Sequence, residues 1–223
     1  MGETIKIAGA DGFEFSAYHE PAFTPRKGGV VVIQEIFGID RFVRADVERW
    51  AKAWYEAIAP SLFDRREWGF TAEHDPAGLQ AGIGHARSTP LEQALTDLAA
   101  CRDFLNRHGE KVCVVGYCYG GSLAWLAAAQ LDGIAAASSY YGSLVQANAA
   151  LTPKCPVIVH LGRTDAGIPA DDVEAAVHAH NPDVPVYIYD GAGHGFNNES
   201  PERYNAEAAD LARRRTLELF ERT

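Results

Sequence analysis

The chain has 223 residues, 47% of them hydrophobic, enough to bury the core of a single α/β domain over residues 1–223. Its formal net charge of −10, with no clustered stripe of Lys and Arg, excludes nucleic acid as the main partner. Four cysteines (Cys101, Cys113, Cys118 and Cys155), none in CxxC spacing, exclude a disulfide framework and a zinc site, so no metal is expected and a reducing, cytoplasmic setting is.

The opening "MGETIKIAGADG" lacks a charged segment followed by an apolar run, and no stretch reaches the apolar length of a membrane helix, so no membrane association is expected. Along the chain, "ETIKIAG" and "FEFSAYHE" flank Asp11-Gly12 as an antiparallel hairpin at a sheet edge. The runs "VVVIQEI" (30–36), "VCVV" (112–115), "VIVHL" (157–161) and "VYIYD" (186–190) read as buried parallel strands, apolar on both faces. "YEAIA" and "IAAASSYY" are weaker strand candidates. Residues 70–89 carry the least pattern and are expected to form a loop, mobile or facing substrate. After it, Thr89 as N-cap, Pro90 in the first turn and Glu92 in the capping box open a helix with Leu91, Leu95, Leu98 and Leu105 near one face. The last helix is expected to begin at Ser200 and Pro201 and to pack Leu211, Leu217 and Phe220. Strand and helix alternate to the C-terminus, which gives the doubly wound α/β class.

"GYCYGG" (116–121) lies between one of these strands and the apolar helix "SLAWLAAAQL". A strand that turns sharply into a helix presents the turn residue at the strand's carboxyl end, where open α/β sheets bind ligands. Gly116 and Gly120 flank Cys118 as a tight turn requires, which is the nucleophile-elbow pattern with sulfur at its centre. The following helix turns its positive end toward the thiol and favours thiolate. An inert buried thiol is the competing reading. A phosphate loop is another, but neither the P-loop ending nor the dinucleotide glycine spacing is present.

A cysteine nucleophile needs a base, and the base needs an orienting carboxylate. Asp165 follows "VIVHL" and His194 follows "VYIYD", so both fall at the same carboxyl edge as Cys118, in the order nucleophile, acid, histidine. His178 and His180, at i, i+2 on a helix, face different sides and read as solvated. His160 reads as a satisfied core histidine, and His19, His74, His85 and His108 have no obvious partners.

With "QEIFG" (34–38), "GYCYGG", "GRTD" (162–165) and "GAGHGFNN" (191–198) in this order over most of its length, the chain resembles the dienelactone hydrolase (carboxymethylenebutenolidase) family of the α/β-hydrolase fold. The resemblance implies a mostly parallel central sheet with helices on both faces. It implies Cys118 as nucleophile, His194 as base and Asp165 as its acid, with Glu35 close to the thiol and holding it protonated until substrate displaces the carboxylate. The oxyanion would be held by the backbone N–H groups of Tyr119 and Ile36. A small lactone or ester is the implied substrate, with no metal or organic cofactor, and a monomer is expected. Family members grip a substrate carboxylate with arginines, one of them four residues beyond the histidine; here Asn198 stands there. Arg87 and Arg203 are the candidate replacements, and Phe37, Trp68, Tyr119 and Phe196 are candidate pocket walls. Two alternatives stay open: a carboxylesterase or thioesterase acting on uncharged acyl groups, and a non-catalytic binding protein of the same fold.

Overall fold

The computed structural model describes residues 2–223. Eight strands form one mostly parallel sheet in the order β1-β2-β4-β3-β5-β6-β7-β8. The chain divides into two units, residues 1–114 and 115–223, with the division inside β5 (Val112–Tyr117).

In the first unit, β1 (Glu3–Ala8) and β2 (Glu14–Glu20) form the antiparallel edge hairpin, and β2 pairs antiparallel with β4 (Tyr55–Pro60). Parallel pairing begins between β4 and β3 (Gly28–Ile33). Every residue of β3 and β4 is buried, as expected of parallel strands covered on both faces. Helix α1 (Arg41–Lys52) is capped by Asp40, whose carboxylate accepts from the Phe42 and Val43 amides, and it buries Val43, Val47, Trp50 and Ala51 as one stripe.

Residues 70–89 are not the expected loop. Helix α2 (Pro76–Ser88) lies within them, with Pro76 in its first turn and Asp75 accepting from the Gly78 amide at 2.7 Å. Its apolar periodicity is broken by three glycines, and packing explains two of them: a Cβ on Gly78 would sit 2.0 Å from the Glu73 carbonyl oxygen, and one on Gly82 2.2 Å from that of Ile36. Helix α3 (Leu91–Leu105) starts after Pro90 and has no side-chain cap. A residue before proline is driven out of the helical region. Thr89 is accordingly extended and ends α2, with its hydroxyl one residue too early to cap α3.

In the second unit, α4 (Tyr119–Gln130) is buried from Tyr119 to Ala129, an apolar helix on all sides. Strands β6 (Ala136–Tyr140), β7 (Val157–Gly162) and β8 (Val186–Tyr189) pair in parallel, and α5 (Ala170–His180) separates β7 from β8 in the chain. The last helix, α6 (Ala206–Arg222), begins six residues later than Ser200. Ser200 closes a turn instead, its carbonyl accepting from the Arg203 and Tyr204 amides, and the Asn205 amide returns to the Phe196 carbonyl before Asn205 caps α6. Phe220 is fully buried, while Leu211 and Leu217 are half-buried.

His160 is the satisfied core histidine expected of it. Its Nδ1 lies 2.8 Å from the Tyr189 hydroxyl and its Nε2 3.2 Å from Thr216 Oγ1, and Thr216 Oγ1 also meets Ser138 Oγ and the Tyr140 hydroxyl, each at 2.9 Å. Burial, helped by the positive charge of Arg215, pushes the His160 pKa down to about 3. Of the four histidines without an obvious partner in the sequence, three have a carboxylate partner: His19 with Glu56 at 2.7 Å, His74 with Asp40 at 2.6 Å and His85 with Glu67 at 3.1 Å. Each partner is far away in sequence, which is why the sequence did not reveal it. Among the described residues no helix is long and apolar enough to cross a membrane, and no group of His, Cys, Asp and Glu side chains is placed to hold a metal ion.

Candidate active site

The turn from β5 into α4 puts Cys118 at φ 54°, ψ −112°. That region is sparsely populated for a residue with a Cβ and costs on the order of 1–3 kcal/mol, so the surrounding structure must impose it. Two contacts do so: the Cys118 amide donates to the Tyr140 carbonyl at 3.0 Å, and the Ser122 amide donates to the Cys118 carbonyl at 3.0 Å. Glycine is required beside it. A Cβ on Gly116 would fall 1.9 Å from the Gly120 carbonyl oxygen, and one on Gly121 would fall 2.1 Å from that of Tyr140. Side chains at either position would push the helix off the strand, and the thiol would lose its outward aim.

The second and third candidates come from the loops after β7 and β8. His194 Nε2 lies 3.2 Å from Cys118 Sγ, and His194 Nδ1 lies 2.7 Å from Asp165 Oδ2. An ionised carboxylate only accepts, so Nδ1 carries a proton and Nε2 is the nitrogen that faces sulfur. The other oxygen of Asp165 accepts from the Gly167 amide at 2.9 Å and the Ile168 amide at 3.1 Å, which fixes the carboxylate against rotation. The Tyr141 ring stands 5.2 Å from the imidazole, centroid to centroid.

Burial pulls the His194 pKa down, but the hydrogen bonds with Asp165 and Cys118 outweigh it and raise the value to about 10. Asp165 moves the other way. Burial raises its pKa, while the hydrogen bond from His194, its charge and the two backbone amides together bring it below the ordinary carboxylate value. The His194 side chain is 35% exposed and that of Asp165 only 2%, so the imidazole has an open side and the acid behind it does not. An imidazolium held at sulfur by a fixed carboxylate can stabilise a thiolate and later deliver its proton.

The remaining candidates are placed as follows. Glu35 and Ile36 follow the carboxyl end of β3, both buried, with the Gln34 side-chain amide donating to the Glu35 carbonyl at 3.1 Å. Phe37 stacks on His74 at 3.8 Å. Tyr119 is the first residue of α4, where the amide N–H has no acceptor within its own helix. Arg87 is exposed in the last turn of α2, and Trp68 is 55% exposed. Phe196 has no exposed surface; its ring packs among Tyr140, Tyr141 and Tyr189. Asn198 is buried, and its Oδ1 accepts from the Ser200 amide at 3.2 Å. Arg203 is half-buried beside Gly195, the residue after the histidine: its Cδ would lie 3.2 Å from a Cβ built there. Tyr141, with φ 38° and its ring on His194, is the neighbour that sequence reasoning passed over, having read "SSYY" only as strand.

Comparison with known proteins gives one consistent picture. The profile of the dienelactone hydrolase family matches residues 15–223. A Yersinia pestis protein provisionally named carboxymethylenebutenolidase is 34% identical over 208 residues, 86% of this chain and 76% of that one. The carboxymethylenebutenolidase of Pseudomonas putida is 32% identical over 229 residues, 99% of this chain and 96% of that one. A crystal structure from Klebsiella pneumoniae, provisionally named dienelactone hydrolase, superposes with a TM-score of 0.86 at 29% identity, covering 100% of this chain and 99% of that one.

Proposed function

This chain belongs to the dienelactone hydrolase family and is a hydrolase, and from that premise we propose that it opens lactone or ester bonds through a thioester on Cys118. The observation that carries this reading is the unbroken chain from Cys118 Sγ through His194 to Asp165, at 3.2 and 2.7 Å.

In the first step the Cys118 thiolate attacks the carbonyl carbon and a C–S bond forms. The charge that develops on oxygen is met by the Tyr119 amide, with the Ile36 amide as the second donor implied by family resemblance. The C–O bond to the ring or alcohol oxygen breaks, and His194 Nε2 delivers its proton to that leaving oxygen. In the second step neutral His194 takes a proton from water, the hydroxide adds to the thioester carbonyl, and the C–S bond breaks to release the acid and return the thiolate. Asp165 keeps Nε2 aimed at sulfur in both steps and stabilises the imidazolium that precedes the first and is restored by the second.

A second reading differs only in substrate. Asn198, whose side chain is engaged in its own turn, stands where the family resemblance implies a guanidinium, so an uncharged acyl substrate would need no ionic clamp here.

The test is hydrolysis of a dienelactone and of an uncharged aryl ester by the wild type and Cys118→Ala, with melting curves for both proteins. Loss of about 10³-fold or more in kcat/KM with an unchanged melting curve is expected. Turnover of the lactone supports the first substrate reading, and turnover of the aryl ester alone supports the second. Turnover that survives Cys118→Ala removes the thioester mechanism. In the same series, Glu35→Gln tests the role that family resemblance gives this residue: alkylation of Cys118 by iodoacetamide is expected to quicken, and an unchanged rate removes Glu35 from the scheme.

A further inference from the structure

The second unit holds a cleft of about 550 Å³ at the opposite end of its strands from Cys118. Val157 and Val186, the first residues of β7 and β8, mark that end, whereas Asp165 and His194 follow the carboxyl ends of the same strands. At the usual rise per residue, the six residues of β7 separate the two places by roughly 20 Å.

Apolar walls come from Pro156, Val184, Pro185 and Leu219, and Arg215 faces the same space. The guanidinium carbon of Arg215 lies 3.9 Å from the centroid of the Tyr187 ring, and its NH1 donates to the Tyr189 hydroxyl at 3.1 Å. Both contacts orient the group, and neither neutralises it. Among the described residues no carboxylate pairs with Arg215, whereas Arg65 of the first unit is held by both Asp11 and Asp97. Arg222 adds a second positive charge to the lining, and the acids there, Asp183 and Glu218, are exposed.

We propose that this cleft binds a small carboxylic acid with a flat apolar body, its carboxylate held by the Arg215 guanidinium. A planar fork with donors still available matches a carboxylate in bidentate geometry. Proline, valine and leucine walls suit an aromatic or aliphatic body, and they disfavour a strongly hydrated anion such as phosphate. The volume lies within the range of small-molecule sites. This site is independent of the hydrolytic reading, since none of its lining residues belongs to the chain around Cys118.

Benzoate, benzyl alcohol and inorganic phosphate are the probes, titrated calorimetrically into the full chain at constant ionic strength. Saturable benzoate binding is expected, with benzyl alcohol and phosphate each weaker by about tenfold or more. Arg215→Met removes the guanidinium, and Leu219→Glu leaves it in place but sets a carboxylate in the cleft; each should weaken benzoate by about tenfold or more. Cys118→Ala should bind benzoate as the wild type does. The proposal is overturned if benzoate does not saturate, if phosphate binds as well as benzoate, if a folded Leu219→Glu binds benzoate unchanged, or if alkylation of Cys118 abolishes binding.

Discussion

At Cys118 the backbone is held where few residues with a side chain go, and the thiol is thereby presented to a histidine 76 residues away in sequence. The titration of that histidine and of its partner Asp165 carries a stability consequence. His194 has a folded-state pKa of about 10 against an ordinary 6.5, so its contribution is complete below pH 6.5 and is lost as pH rises through about 10. Asp165 is shifted downward, so its contribution is present above its ordinary 3.8 and is lost as pH falls through its lower folded value. Urea midpoints of the wild type and His194→Asn should therefore differ most between pH 4 and 6.5 and converge toward pH 10. A gap that widens above pH 8 would contradict the raised histidine pKa. The meeting of these three side chains is legible in the sequence because each follows a run that reads as a buried parallel strand. Glycines flank the first, and a turn or glycine loop carries the others. The partners of His19, His74 and His85 are not legible, because nothing local marks a carboxylate that the fold brings in from elsewhere in the chain.

Among the elements, strands are read more securely than helix starts. Runs such as "VVVIQEI" and "VIVHL" announce β3 and β7, since uninterrupted β-branched residues suit burial on both faces. Helix α2 is hidden because two of its three glycines serve close packing rather than propensity, and the starts of α3 and α6 shift because a Ser or Thr before proline caps a helix only if the backbone there allows it. β8 departs from the fully buried pattern: it is the last strand of the sheet, pairs only with β7, and has three of its four residues half-buried. A strand held on one side opens locally at lower free energy than one held on both. Amide hydrogens in β8 should therefore exchange faster than those in β7, and in rising urea hydrolysis should fade before the far-ultraviolet signal, since β8 leads into the His194 loop. Equal protection in the two strands, with activity and signal lost together, would show that β8 is as firmly held as its neighbour.

Over the whole molecule the net charge of −10 acts on anything that approaches it. A carboxylate-bearing lactone meets that field as repulsion, and raising ionic strength from about 0.01 to 0.15 M shortens the Debye length from about 30 to 8 Å. Its kcat/KM should rise over this range while that of an uncharged aryl ester stays flat; a fall for the lactone would indicate a local positive field strong enough to reverse the whole. The hydroxyl of Thr216 has a different reach. It gives its single proton to the Ala212 carbonyl at 3.0 Å, so toward His160 it can only accept. The ring's one proton therefore lies on Nε2, facing Thr216, and Nδ1 accepts from the Tyr189 hydroxyl, which itself accepts from Arg215. Donation thus runs one way, from Arg215 through Tyr189, His160 and Thr216 to a carbonyl of α6. The tautomer of a fully buried imidazole is set by the carbonyl that takes the threonine's proton, one helical turn away.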